Sequence, residues 1–354
     1  MKNIDRKKLQ ELDSLFSGSR KAVISTHSHP DGDAIGSSTA LLQYLRRRGV
    51  DARVLLPDPC PDTLSFAIRE DIAPFIEVGE ENADALLSQA DLLVSIDYNA
   101  PHRTECLESH LRAYGGTKVL IDHHLSPEEG FYSLIFSEEE VSSSCELLYY
   151  ILKGMGDVDG KAERLGTEIG EALLLGMTTD SNNFANSTYP TTLAMAGELV
   201  AAGVDREALL GQLYQTYREN RFRMMGFYLS RRLKITPLGV AYAVLTASDL
   251  KRYDIREGET EGFVNLPLGI KEVRLSVFLK EDKDRIRVSL RSKPGTSANL
   301  CARQYFHGGG HELAAGGKLH AGVDFPTVAD AAAYIEECTA KFFAETEGGE
   351  APEA

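Results

Sequence analysis

The stretch "KAVISTHSHPDGDAIGSSTALLQYLRRRG", residues 21–49, decides the fold. Its opening, "KAVIST" (21–26), reads as a strand. The turn that follows crowds His27, His29, Asp31 and Asp33 into seven residues. A helix is expected from Ala34 to Arg48, and Gly49 is a usual C-terminal stop. Four groups able to bind a cation or move a proton thus sit between a strand and a helix.

The same strand-then-helix unit repeats outward from there. "ARVLL" (52–56), "DLLVSID" (91–97) and "KVLID" (118–122) read as strands, with helices expected around Asn82–Gln89 and Glu105–Tyr114. Continuous apolar strands alternating with helices predict a largely parallel sheet covered on both faces. Acidic residues recur straight after these runs: Asp31 and Asp33 after "AVIST", Asp97 after "LLVSI", Asp122 after "KVLI". In open α/β sheets the ligand crevice lies at the carboxyl ends of the strands, so these groups should converge. Asp180, at the end of a helical pattern in "LLLGMTTDSNNF", can join them from one side.

Beyond residue 190 the pattern changes. Residues 191–232 read as a polar helical connector ending in "RENRFRMMGFYLSRRLK" (218–234). "GVAYAVLT" (239–246), "KEVRLSVFLK" (271–280) and "DRIRVSLRS" (284–292) read as strands, with "EDKD" (281–284) turning a hairpin. In the last strand Ile286, Val288 and Leu290 face one way and Arg287, Ser289 and Arg291 the other. A helix and the stretch "FHGGGHELAAGGKL" (306–319) follow. The expected fold class is therefore α/β: an N-terminal doubly wound, mostly parallel sheet domain (1–190) and a helical connector (191–232), leading to a smaller mixed-sheet α/β domain (233–345). A disordered acidic tail (346–354) completes the chain.

Composition narrows the function. The 354 residues carry 38 basic and 53 acidic side chains, a net charge of −15. Such a chain is poorly suited to grip long duplex DNA, although Lys271–Arg303 is locally basic, with nine cationic and four acidic residues. The sequence has no run of about 18 apolar residues, so no membrane span is expected. The N-terminus lacks the apolar stretch of a secretory signal, and the five scattered cysteines form no CxxC pair. Both point to a cytoplasmic protein with reduced thiols.

Taken together, His27, Asp31 and Asp33 form H-x-x-x-D-x-D, Asp97 a second point, Asp122-His123-His124 a third and Asp180 a fourth. Carboxylates and imidazoles without cysteine suit Mn²⁺ or Mg²⁺ better than structural zinc. The set is too large for one ion and about right for two, held roughly 3.5–4 Å apart, which activate water for attack on phosphorus. Without cations the aspartates would repel one another strongly.

This ordered set, with the C-terminal Gly308-Gly309-Gly310-His311, resembles the DHH phosphoesterase superfamily over nearly the whole chain. The two-domain layout without further modules is similar to its NrnA-type subfamily, which degrades very short RNA ("nanoRNA") to mononucleotides and removes the 3′-phosphate of 3′-phosphoadenosine 5′-phosphate (pAp). The resemblance implies two divalent cations, Mn²⁺ first and Mg²⁺ next. His27 and Asp31 would hold one, Asp33, His123 and Asp180 the other, and Asp97 would bridge. It implies that His124 donates a hydrogen bond beside the scissile phosphate and that Asp122 orients a histidine. It further implies that Arg291, Ser292, Gly308, Gly309, Gly310 and His311 grip substrate phosphates. Its substrates would be short single-stranded oligonucleotides and pAp, with no membrane partner; a homodimer is among the assemblies it allows. One departure is His307, which stands where the family often has a further glycine.

Plainer readings apply to other residues. His29 falls outside the matching spacing, and His102, His110 and His320 read as surface or structural histidines. Arg287 and Arg291 could be a solvated strand face, and the glycines a tight turn. Two rival functions stand beside the nanoRNase: a phosphodiesterase for cyclic or linear dinucleotides, and a non-catalytic nucleotide-binding module.

Overall fold

The computed structural model describes residues 4–283 and 285–348. It forms two compact units that divide between Thr216 and Tyr217, inside the segment read as a connector.

The first unit is built on a six-stranded sheet. Its strands are β1 (Lys21–Ser25), β2 (Asp51–Leu56), β3 (Ile76–Val78), β4 (Leu92–Ile96), β5 (Thr117–Asp122) and β6 (Leu134–Ser137). The spatial order is β3-β2-β1-β4-β5-β6, and every neighbouring pair is parallel. The expected doubly wound parallel sheet is therefore present. Strand order reverses between β1 and β4, which is where such sheets open a crevice at the strand carboxyl ends. Both faces are covered, which explains why the strands are apolar throughout. Ala22 and Ile24 of β1, with Leu92, Val94 and Ile96 of β4, enter one core. The alternate Val23 and Leu93 enter the opposite one, with Tyr98, Leu107 and Leu111. Each fully buried aliphatic side chain of this kind contributes about 1.5–3 kcal/mol.

Helices α1 (Arg6–Gly18) and α2 (Gly32–Arg47) flank the larger core. The helices expected at Asn82–Gln89 and Glu105–Tyr114 are shorter, α3 (Ala83–Leu87) and α4 (Glu108–Ala113). Residues Pro101–Leu107 form a 3₁₀ segment before α4, broken at Glu105 by a φ of 46°. Helices α5 (Ser144–Lys153) and α6 (Thr167–Asp180) pack against α2, and α7 (Pro190–Ala201) and α8 (Arg206–Tyr214) close the unit. Close approach of these helices requires glycine. A Cβ on Gly176 of α6 would stand 2.6 Å from Asp33 Oδ1, so the bare glycine lets α6 run beside that carboxylate.

The second unit begins with α9 (Glu219–Phe227). Its mixed sheet comprises β7 (Lys234–Ile235), β8 (Val240–Leu245), β9 (Leu275–Glu281), β10 (Ile286–Ser292), β11 (Gly309–His311) and β12 (Ala314–Leu319). The order is β11-β12-β10-β9-β8-β7; only β8 and β9 pair in parallel. The expected hairpin joins β9 to β10, and its last turn residue, Asp284, lies outside the described residues. The expected alternation along β10 also holds: Ile286, Val288 and Leu290 are buried, while Arg287, Ser289 and Arg291 are half-buried. Helices α10 (Ala247–Arg252), α11 (Ala298–Tyr305) and α12 (Ala331–Gly348) complete the unit. Because α12 extends to Gly348, residues 346–348, expected in a disordered tail, are helical; 349–354 lie outside the described residues. No helix among the described residues is long and apolar enough to cross a membrane.

Candidate metal centre at the strand ends

Each predicted ligand of the first unit is delivered by a strand end or a helix end. His27 lies two residues past the end of β1, and Asp31 is the N-cap of α2, its Oδ1 accepting from the amides of Asp33 (2.9 Å) and Ala34 (3.1 Å). A carboxylate is favoured there by the unpaired amides and the helix dipole. Asp33 lies in the first turn of α2 and is buried. Asp97 follows β4 with a φ of 65°, a backbone region uncommon for any residue but glycine, and its amide donates to Ile121 of the adjacent strand (3.1 Å). Asp122 ends β5, His123 and His124 follow it, and Asp180 ends α6.

Asp97 stands in the middle. Its Oδ2 lies 3.5 Å from His27 Nε2, and its Oδ1 lies 3.7 Å from His123 Nε2. On one side, His27, Asp31 and Asp97 bring ligand atoms within 4.8 Å of one another; on the other, Asp33, Asp97 and His123 do the same. Asp180 Oδ2 approaches His123 Nε2 at 3.3 Å. The structure thus brings together all six residues that the resemblance assigned to cations, in two groups that share Asp97.

The imidazoles face the cluster with the required nitrogen. His27 Nδ1 lies 2.8 Å from the Ser28 carbonyl, which can only accept, so Nδ1 carries a proton and Nε2 is the nitrogen turned toward Asp31 and Asp97. His124 is held by a different partner: its Nδ1 lies 2.7 Å from Asp122 Oδ1. Asp122 is fully buried, and its Oδ2 has no hydrogen-bond partner. Burial alone would raise its pKa, but His124 and then His123 outweigh that and hold it below the ordinary carboxylate range.

The carboxylates repel. Burial, followed by the charges of Asp180 and Asp31, pushes Asp33 up to about 7. Burial and the charge of Asp33 raise Asp97 well above its ordinary value. His27 is also raised: burial disfavours its charge, but Asp31 and Asp97 overcome that. A divalent cation among these carboxylates would relieve their mutual repulsion. The donor set, imidazole nitrogen and carboxylate oxygen without sulfur, suits a hard or borderline divalent ion.

Sequence reasoning missed the segment that holds these carboxylates. At the start of α5 the amides of Ser144 and Cys145 donate to the two oxygens of Asp33 (2.6 and 2.9 Å), and Ser144 Oγ donates to Asp97 Oδ1 (3.0 Å). Beneath them, buried Glu146 accepts from Ser142 N, Ser142 Oγ and Thr192 Oγ1. The signal was present: Ser143-x-x-Glu146 has the form of a helix-start capping box, and Ser143 does cap α5. Ser144→Ala removes the hydroxyl while keeping the amide. It is expected to weaken divalent-ion affinity and turnover by about 10–100-fold with an unchanged far-UV spectrum. Unaltered metal affinity in this variant would refute the positioning role.

In the second unit Arg291 and His311 both stand opposite Ala314 of the intervening strand β12. Arg291 lies half-buried on β10, and His311 ends β11. Ser292 is buried, and its hydroxyl proton is committed to the Thr296 carbonyl (2.6 Å). The glycines have reasons of their own. A Cβ on Gly308 would stand 2.6 Å from Gly317 Cα, and one on Gly310, at φ 150°, 2.6 Å from the Ala314 carbonyl. The amides of Gly308 and Gly310 already donate to Ala302 O (3.2 Å) and Asn299 Oδ1 (3.1 Å). Gly309 alone is uncrowded, its nearest neighbour 3.5 Å away. His307 sits at φ 47°, which explains the preference for glycine at this place; its Nε2 pairs with Asp324 Oδ1 at 2.7 Å. Of the histidines read as ordinary, His29 leans on Asp58 and His110 on Asp84.

A buried carboxylate–histidine cluster at the switch point of a parallel sheet defines a cation-dependent phosphoesterase. Comparison with known proteins agrees. A family model described as "DHH family, N-terminal domain" matches residues 21–177, and one described as "DHHA1 domain" matches residues 238–339. The bifunctional oligoribonuclease and PAP phosphatase NrnA of Thermus thermophilus is 32% identical over 304 residues, 84% of this chain and 83% of that one. The protein of the same name from Bacillus subtilis is 28% identical over 301 residues, 84% and 89% of the two chains. The crystal structure of an exopolyphosphatase-related protein from Bacteroides fragilis is 33% identical, with a TM-score of 0.86 over 97% of this chain and 98% of that one. The chain belongs to the DHH family and is a hydrolase of phosphoester bonds.

Proposed function

We propose that this protein hydrolyses short oligoribonucleotides to mononucleotides and pAp to AMP. The observation that carries the reading is the two-sided placement of Asp97, one oxygen toward His27 and the other toward His123. The names of the T. thermophilus and B. subtilis relatives point to these substrates. In this reading His27 and Asp31 hold one divalent cation, Asp33, His123 and Asp180 hold a second, and Asp97 serves both. Manganese is the first candidate and magnesium the next. When bound, such ions supply an activated water and neutralise charge on the phosphate oxygens.

The chain's own groups do the rest. Asp122 fixes the ring of His124 through Nδ1, and in this reading His124 is the hydrogen-bond donor beside the scissile phosphate. Arg291, Gly309 and His311 are the groups proposed to hold substrate phosphates. Ser292 shapes the turn that follows β10, and Gly308 and Gly310 allow β11 to lie against β12. Arg291→Ala and His311→Ala are each expected to raise KM about tenfold, worth roughly 1.4 kcal/mol, with a smaller change in kcat. A fall in kcat alone would contradict the gripping role.

The deciding assay is product release from RNAs of two to five nucleotides and from pAp, with Mn²⁺, with Mg²⁺ and with chelator. Metal-dependent conversion of the short RNAs, with long RNA spared, is the expected result. Activity confined to cyclic or linear dinucleotides would replace this reading, and nucleotide binding without turnover would make the protein a binding module.

A further inference from the structure

The basic run at residues 218–234 has a use that the catalytic cluster does not absorb. Within the second unit, Arg231, Arg232 and Arg252 line a cavity of about 660 Å³ together with Asp249, Phe227 and Tyr253. It is formed where α9 gives way to a π-turn, Tyr228–Arg232, closed by Leu233 N donating to Tyr228 O at 2.9 Å. Phe227, Ser230, Arg231 and Arg232 all line it, a denser run than one face of a regular α-turn presents. Widened turns of this kind are frequent at functional sites.

The charges there do not balance. Three guanidinium groups face one carboxylate, in a chain whose net charge is −15. Asp249 is already engaged twice: Oδ2 accepts from Thr246 N (3.1 Å) and Oδ1 pairs with Arg232 (2.6 Å). Arg232 Nε is buried with no acceptor. Neither Arg231 nor Arg252 has a carboxylate partner among the described residues. Arg231 and Arg252 are exposed, so an anion entering from solvent can reach both guanidinium groups.

The aromatic rings narrow the anion. Arg232 lies 5.2 Å from the Phe227 ring centre and Arg252 5.6 Å from that of Tyr253; the rings are 5.2 Å apart. Their inner sides rest on the apolar core of Tyr228, Phe263 and Phe278, which explains where they sit. That core does not explain why Arg232 and Arg252 lie over them while Arg231 lines the same cavity. Guanidinium planes and aromatic rings side by side stack a nucleobase while the arginines take its phosphate. An acidic peptide would use the charges alone. We propose that this cavity binds a nucleoside phosphate, either free or as one nucleotide of a single strand. It lies by the β7–β8 edge of the sheet, whereas Gly309 and His311 lie on β11 at the opposite edge.

The test compares the full chain with Arg231→Gln/Arg252→Gln and, separately, Tyr253→Leu. Binding of a twelve-nucleotide oligoadenylate, of AMP and of a glutamate-rich peptide is measured in chelator, with recovery of intact RNA verified. Hydrolysis of bis-p-nitrophenyl phosphate with Mn²⁺ is measured alongside. The arginine variant is expected to bind the strand about tenfold more weakly, with the slope of log K against log salt reduced by about 1.4. Tyr253→Leu should weaken the strand without altering that slope, and hydrolysis should match the parent in both. Equal weakening of AMP identifies a free nucleotide as the ligand; weakening of the strand alone identifies a chain. Unchanged affinity for both, or loss confined to the peptide, overturns the proposal. Absence of hydrolysis in the parent counts against the proposed function and leaves the binding comparison standing.

Discussion

Asp97→Asn is expected to reduce turnover of every substrate by at least about 10³-fold, roughly 4 kcal/mol of transition-state stabilisation. Asparagine is the informative replacement. It tolerates the positive φ of 65° at this position better than alanine, and it keeps the carboxylate's size. The backbone bond from residue 97 to Ile121 is untouched. What disappears is one negative charge between His27 and His123, shared by both ligand groups. A variant of any one-sided ligand, such as Asp31, should retain part of the cluster. Near-parental turnover by Asp97→Asn would end the two-cation assignment, provided its thermal unfolding remains cooperative.

Removal of divalent ions should abolish activity and also destabilise the fold. In their absence Asp33 and Asp97 are buried beside other carboxylates, with raised pKa values caused first by burial. A divalent ion that binds only the folded chain contributes about 2.7 kcal/mol at a concentration one hundred times its Kd. For a chain of this size that corresponds to a rise of several degrees in Tm. The expected result is a higher Tm with Mn²⁺ than with chelator in the parent, and a smaller difference in Asp97→Asn. An identical Tm in both conditions would show that the cluster does not hold an ion, whatever the substrate.

The relation between sequence and site is uneven in an instructive way. Asp31, Asp33, Asp97 and Asp122 were legible because a ligand crevice in a parallel sheet lies where apolar runs end, and each follows such a run. Ser144 and Cys145 were not legible. Ser143-x-x-Glu146 marked the start of a helix there, but that its first amides and one hydroxyl reach Asp33 and Asp97 is a contact between distant segments. The glycines beside His311 show the reverse problem. Their types suggested an anion-binding turn, yet Gly308 and Gly310 are needed for the packing of β11 on β12. The basic run before β7 read as a connector because nothing local predicts a π-turn or the approach of Arg252 and Tyr253.

By itself the sequence determined the α/β class, the parallel first sheet and the six cation-binding candidates, since hydrophobic periodicity and residue chemistry are properties of the chain. Only the tertiary structure decided which oxygen of Asp97 faces His27 and which faces His123, and that α5 holds Asp33 through its amides. It also decided that Ser292 spends its proton on a turn and that three arginines line one cavity with a single carboxylate. The physical reason is that these are relations of distance and direction between segments far apart in sequence. They are set by the packing of α2, α5 and α6 and by the order of the strands, on which the local pattern of residues is silent.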